Sequence, residues 1–204
     1  MAAAVERALD ARQRDAIEDV EKILAAAIRV LERTAPAPPR VSDIVAAAGT
    51  SNAAFYRYFA GKGQLILAVM ERGVAMTADY QAQLMSGHTD PADMIAAWVA
   101  GALDQVGDPR RTARSRAVLG QFPTPPDSQI TAPMRDLLMA PLAALRSADP
   151  RRDADALFTT VSGAIRRHAA AATQPEAAEV EHLVQFCLAA VGAPHQRLQS
   201  RTAL

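Results

Sequence analysis

The chain has 204 residues, half of them apolar, with a formal net charge of zero and a single cysteine. That length supports one or two domains with a real core. The neutral balance excludes a uniformly basic nucleic-acid coat, so any DNA contact must come from a local patch. One cysteine, Cys187, excludes an internal disulfide and suits a reducing cytoplasm. The N-terminal residues lack an apolar signal-peptide core, and no uncharged apolar run reaches 18 residues. A cytoplasmic protein with no membrane partner is expected.

Composition favours helix throughout, and no alternating Val, Ile and Thr run argues for strands. The first twelve residues read as a flexible arm or a helix extension. From Gln13 to Arg33, Ile17, Val20, Leu24, Ile28 and Leu31 mark one helical face. The run at 35–39, APAPP, ends that helix.

Residues 41–65, VSDIVAAAGTSNAAFYRYFAGKGQL, carry the strongest motif. Two short helices are predicted around a turn at Ala48-Gly49-Thr50, a helix-turn-helix. Ala47 and Ala48 are small enough for a close crossing, and Gly49 tolerates a positive φ. Ser51 is a natural N-cap for the second helix. Phe55 and Phe59, four apart, are predicted to face inward. That leaves Asn52, Ala53, Ala54 and Arg57 on the outer face, where Asn suits adenine edges, Arg guanine edges and Ala thymine methyls. Tyr56, Tyr58 and Lys62 suit phosphate, which fixes register without reading sequence. The helix N-terminus adds free N–H groups that favour phosphate. Local charge is modest: Arg40, Arg57 and Lys62 against Asp43 leave +2.

A long helix is expected from Lys62 to about Gly87, with Ile66, Met70, Gly73, Thr77, Tyr80 and Leu84 along one face. Longer helical patterns follow at about 91–106, 109–121, 131–148, 150–173 and 175–192, each with a proline near its start. FPTPPDSQ at 122–129 reads as a loop, and the tail from Pro194 as mobile. Arg110, Arg111, Arg114 and Arg116 form a basic cluster suited to a solvated face. These patterns divide the chain into residues 13–62 and 63–193, with 1–12 and 194–204 flexible.

The segment IVAAAGTSNAAFYRYFAGKGQL resembles the DNA-binding domain of the TetR family of transcriptional regulators, over about residues 17–70. The resemblance implies an all-α fold of about nine helices. It implies an N-terminal three-helix DNA-binding domain and a C-terminal helical ligand-binding and dimerisation domain. It further implies a homodimer on a palindromic operator, a repressor role, and release by a small hydrophobic effector. By position, Asn52, Ala53, Ala54 and Arg57 would face bases, and Arg40, Ser51, Tyr56, Tyr58 and Lys62 phosphates. Several positions depart from the family pattern. Arg40 stands where Thr is common, with Ser42 available to cap; Ala53 replaces Gly; Thr50 replaces Val; Gly63 replaces Glu.

Beyond residue 70 the likeness is one of length and layout. The last two helices of the family pair with their copies in a dimer. Here that stripe would contain Leu157, Val161, Ala164 and Ile165, with Val180, Leu183, Val184, Cys187 and Val191. An apolar pocket with adaptable methionines would draw on Met70, Tyr80, Met94, Trp98, Phe122, Met134, Leu138, Met139, Phe158 and His168. The four histidines are scattered, one E-x-x-H (Glu179, His182) falls short of a di-iron set, and no nucleophile or phosphate-loop motif occurs. No enzymatic activity, metal or cofactor is expected. The competing expectation is a helical protein-interaction module, or a family member that has lost DNA binding.

Overall fold

The computed structural model describes residues 2–107, 117–118, 121 and 129–192. Among the described residues every regular element is a helix. They are α1 (Ala2–Thr34), α2 (Val41–Ala48), α3 (Asn52–Tyr58), α4 (Lys62–Ser86), α5 (Pro91–Gly107), α6 (Ala132–Asp136), α7 (Met139–Ala144), α8 (Pro150–Ala171) and α9 (Ala177–Ala190). No described helix is long and apolar enough to cross a membrane. Phe122, the four-arginine cluster at 110–116, most of the loop at 122–129 and the tail from Pro194 lie outside the described residues.

The chain divides into two compact units, Met1–Gly73 with Ala113–Pro126, and Val74–Thr112 with Asp127–Leu204. The division falls inside α4 rather than at its start.

In the first unit α1 begins at Ala2, so of the two expectations for the N-terminal segment, arm or helix extension, it takes the second. Its buried face is centred on Ile23, Ala26, Ala27 and Val30 with Leu24 and Leu31, while Ile17, expected inside, remains exposed. Periodicity supplies two overlapping stripes on this helix, and the one rich in Ala and Val is buried. α2, α3 and the first half of α4 supply Ile44, Val45, Phe55, Phe59, Leu65, Ile66, Val69 and Met70 to the buried set. Polar ties supplement this burial: Arg72 on α4 pairs with Glu21 on α1.

In the second unit α5 is the central element. Ile95, Trp98, Val99, Ala102 and Leu103 are buried and join Leu138, Leu142, Ala154, Leu157, Val161, Ala164, Val184 and Cys187 in one core. Asp90 starts α5 by accepting from the Ala92 amide at 2.7 Å, and Asp149 starts α8 by accepting from the Arg152 amide at 3.1 Å. Both are N-caps for amides that have no intrahelical partner. The single helix expected at 131–148 is instead two short ones, α6 and α7, interrupted at Leu137 and Leu138. Pro141 accounts for the break: it has no N–H to donate to the Leu137 carbonyl, and its ring would crowd that carbonyl. The Trp98 indole N–H donates to the Met134 carbonyl at 2.9 Å and ties α6 to α5.

Candidate nucleic-acid interface

Gly49 ends α2 in the left-handed region, φ 64° and ψ 32°, where a side chain would be strained. Its amide bonds the Ala46 carbonyl and that of Thr50 bonds Val45, which satisfies carbonyls the helix end leaves free. From α1, the Arg29 guanidinium donates to the Ala47 carbonyl at 3.1 Å and closes the same end. Arg40 stands before α2 with no side-chain capping bond, and Ser42 contacts Asp43 rather than capping. Arg40 is exposed on this surface.

Ser51 caps α3 as its sequence position predicts, its hydroxyl accepting from the Ala54 amide at 3.1 Å. Phe55 and Phe59 are buried, with ring centroids 5.7 Å apart. Two inward rings one turn apart fix the rotation of this two-turn helix about its axis. The opposite face then presents Asn52, Ala53 and Arg57 exposed, with Ala54 half-buried beside them. Tyr56 is 58% exposed, its ring edge-on to Phe55.

Tyr58 departs from its expected role. Its hydroxyl donates to Asp19 on α1 at 3.2 Å, so its one proton is committed within the protein and not held out for phosphate. It ties α3 to α1, and the Arg57 guanidinium lies 5.9 Å from its ring centroid. Asp19 was not legible as a site residue: nothing in its local sequence marks it as a partner for a residue 39 positions later. Lys62 opens α4 half-exposed. Gly63 leaves that start without a Glu, and Gln64 compensates by accepting from the Ala60 amide at 2.6 Å.

The surface thus carries Asn52, Ala53 and Arg57 on α3, flanked by Arg40, Tyr56 and Lys62. A helix with an uncommitted outer face, small residues at its N-terminus and cations at its margins fits a major groove.

Comparison with known proteins bears on the same segment. Residues 23–69 match the family described as bacterial regulatory proteins, tetR family. Over that segment the chain is similar to the TetR family. An uncharacterized HTH-type transcriptional regulator of Bacillus subtilis (strain 168), YvdT, is 40% identical over 70 residues, covering 34% of this chain and 36% of that protein. The chain therefore matches about a third of this relative's length. The likeness of fold extends further. A TetR transcription regulator from Haloarcula marismortui superposes with a TM-score of 0.63 at 20% identity, covering 86% of this chain and 97% of the other. FadR from Bacillus subtilis, solved in complex with stearoyl-CoA, gives 0.63 at 15% identity, covering 84% and 96%. Escherichia coli NemR in its reduced form gives 0.56 at 20% identity, covering 85% and 95%. At these identities the likeness is one of fold.

The second unit places the remaining expected residues. Leu157, Val161, Ala164, Val184, Cys187 and Val191, expected between two copies, are buried in the core of their own subunit. Ile165, Val180 and Leu183 pack partly buried against that core. An apolar stripe on a helix does not say whether its partner is intramolecular, and here α5 takes it. Burial pushes the Cys187 thiol up to about 11. The exposed residues of α9 include Glu181, His182, Phe186, Ala189 and Ala190, with Phe186 54% exposed.

A cleft of about 530 Å³ opens in this unit, walled by Leu84, Leu103, Pro175 and Val180, with Tyr80, His88, Asp104 and Gln174 as its polar groups. Of the residues expected to line a pocket, Tyr80 alone among the described ones lines this one. Met70 is buried in the first unit. Trp98 and Leu138 are core residues, and Met94, Met139 and Phe158 pack against that core. Met134 lends its carbonyl to Trp98. His168 joins α8 to α9, its ring nitrogens 2.9 Å from Thr173 Oγ1 and 2.9 Å from a Glu179 oxygen.

Proposed function

We propose that the chain is a DNA-binding transcriptional regulator that acts as a homodimer, represses from a roughly palindromic operator and is released by a small effector held in the second unit. The observation that carries this is the set orientation of α3. Phe55 and Phe59 anchor one face, and Asn52, Ala53, Ala54 and Arg57 occupy the other. In this reading those four residues contact base edges, while Arg40, Tyr56, Lys62 and the Ser51-capped helix start contact phosphates. Tyr58 and Asp19 act one step back, holding α3 against α1.

Two copies would place their α3 helices about 34–36 Å apart, in successive major grooves. The outward stripe of α9 at Phe186 is the proposed contact between copies, since the inward stripe is already occupied. α4 contributes to both units and is the proposed route from effector to DNA. A coupling of about 1–3 kcal/mol would lower operator affinity several-fold to a hundredfold. FadR of Bacillus subtilis was solved with stearoyl-CoA, which supports a small-molecule effector as a class.

Footprinting on the DNA flanking the chain's own gene tests the proposal. The expected result is a protected, roughly palindromic segment whose half-site centres lie one helical turn apart. Uniform protection at every sequence, or none, would overturn it.

A further inference from the structure

Gln81, on α4 in the second unit, is the one buried polar residue among the described residues, at 0% exposed. Its amide nitrogen donates to the Trp98 carbonyl of α5 at 3.4 Å. Its Oε1 has no hydrogen-bond partner among the described residues. Turning the amide over offers no remedy, because the oxygen would then face the Trp98 carbonyl oxygen. A buried acceptor left unmet costs stability that an apolar side chain of the same shape would not. An orphaned acceptor calls for a donor from outside the chain.

The place of Gln81 indicates where that donor enters. Tyr80 and Leu84, its neighbours on α4, line the cleft of the second unit, as do Ala97 and Gly101 on either side of Trp98 on α5. Gln81 therefore belongs to the α4–α5 contact that forms the inner wall of the cleft. A Cβ placed on Gly101 would come within 2.4 Å of Leu84 Cδ1, so the Leu84 side chain rests in the space the glycine leaves. Leu84 is one turn along from Gln81 and only partly buried, and a change of rotamer would withdraw it from Gly101. The cleft, about 530 Å³, lies within the range of small-molecule sites, and Leu103 and Val180 add apolar wall.

We infer that Gln81 is the polar recognition residue of this cleft, and that the cleft takes a neutral apolar molecule carrying a hydroxyl or an amide N–H. The ligand displaces Leu84 from Gly101, lays its apolar body against Leu103 and Val180, and donates to Gln81 Oε1. An ether of the same shape has no hydrogen to give and leaves the acceptor unmet. The inference rests on the proposed function only for the consequence of binding, not for the binding itself.

The test uses the full chain and two neutral probes with one apolar body, 4-phenylbutanol and its methyl ether. Isothermal titration should show the alcohol about fivefold tighter, as one net neutral hydrogen bond gives. Gln81→Met keeps the length of the side chain without its amide. It should bring alcohol and ether to equal affinity and leave the chain at least as resistant to urea as the native one. Gly101→Ala, whose methyl group pushes Leu84 toward the cleft, should weaken both probes. The inference is overturned if the ether binds as tightly as the alcohol, if the alcohol keeps its advantage in Gln81→Met, or if neither probe binds. It is also overturned if Gly101→Ala leaves both affinities unchanged, or if Gln81→Met unfolds at lower urea, which would mean that the acceptor is already satisfied within the fold. Operator affinity is measured separately with and without the alcohol. Binding in the cleft that leaves operator affinity unchanged upholds the site and overturns the effector clause of the proposed function.

Discussion

Asn52 and Lys62 separate two kinds of DNA contact within a few residues. Asn52 is exposed on the outer face of α3, and Lys62 is a half-exposed cation at the start of α4. Asn52→Ala should change which base is preferred at one operator position and cost about 1–3 kcal/mol at the native base. Lys62→Ala should weaken all duplexes alike and reduce the salt slope by about 1. Competition binding against a panel of single-base operator variants checks both. If the two variants shift the panel identically, the division of roles fails. Cys187 gives a different residue-scale outcome. Its burial means the thiol, not the thiolate, is present in the folded chain at neutral pH. A thiol reagent at pH 8 should modify the native protein far more slowly than the denatured one. The sign of the linkage follows: a thiol whose folded value is raised stabilises fully below its usual value of 9.0 and loses that contribution as pH rises toward about 11. Chemical unfolding across that window should show stability falling more steeply in the native chain than in Cys187→Ala.

At the scale of elements, local chemistry was the legible part. Gly49 at the turn, Ser51 at the cap and Phe55 with Phe59 inward each follow from what one residue does to its own helix. Contacts distant in sequence were not legible. Tyr58 was expected at phosphate because a tyrosine beside a recognition face suits that role, and the proton goes to Asp19 instead. The α8 and α9 stripes were correctly apolar but their partner was not readable, because periodicity reports a buried face and not what buries it. The cleft was missed for a related reason: Leu84, Asp104 and Val180 are brought together only by the packing of α4, α5 and the α8–α9 connection. With the inward stripe of α9 used by the subunit core, Phe186 becomes the residue to test for dimerisation. Phe186→Glu replaces an exposed ring with a charge, so the fold should persist. If the proposed dimer forms there, light scattering should give a dimer for the native chain and a monomer for Phe186→Glu, and operator affinity should fall with it. A Phe186→Glu chain that remains dimeric would move the interface elsewhere.

For the whole molecule, neutrality is the informative constraint. A chain with no net charge and only +2 around its helix-turn-helix gains little from one reading head. In the proposed function, specific binding therefore uses two heads acting together, which would link the small N-terminal surface to a contact between copies at Phe186. The competing account is a helical interaction module that has kept the fold and lost DNA. The two differ in how binding responds to ions, because phosphate contacts release condensed counterions. The decisive measurement is the affinity of the full chain for its footprinted operator between 50 and 200 mM salt. Two heads making about 6–10 phosphate contacts should lose roughly 10³- to 10⁵-fold in affinity over that range. Affinity that is flat with salt, or equally weak on operator and unrelated DNA at every salt concentration, would contradict the account.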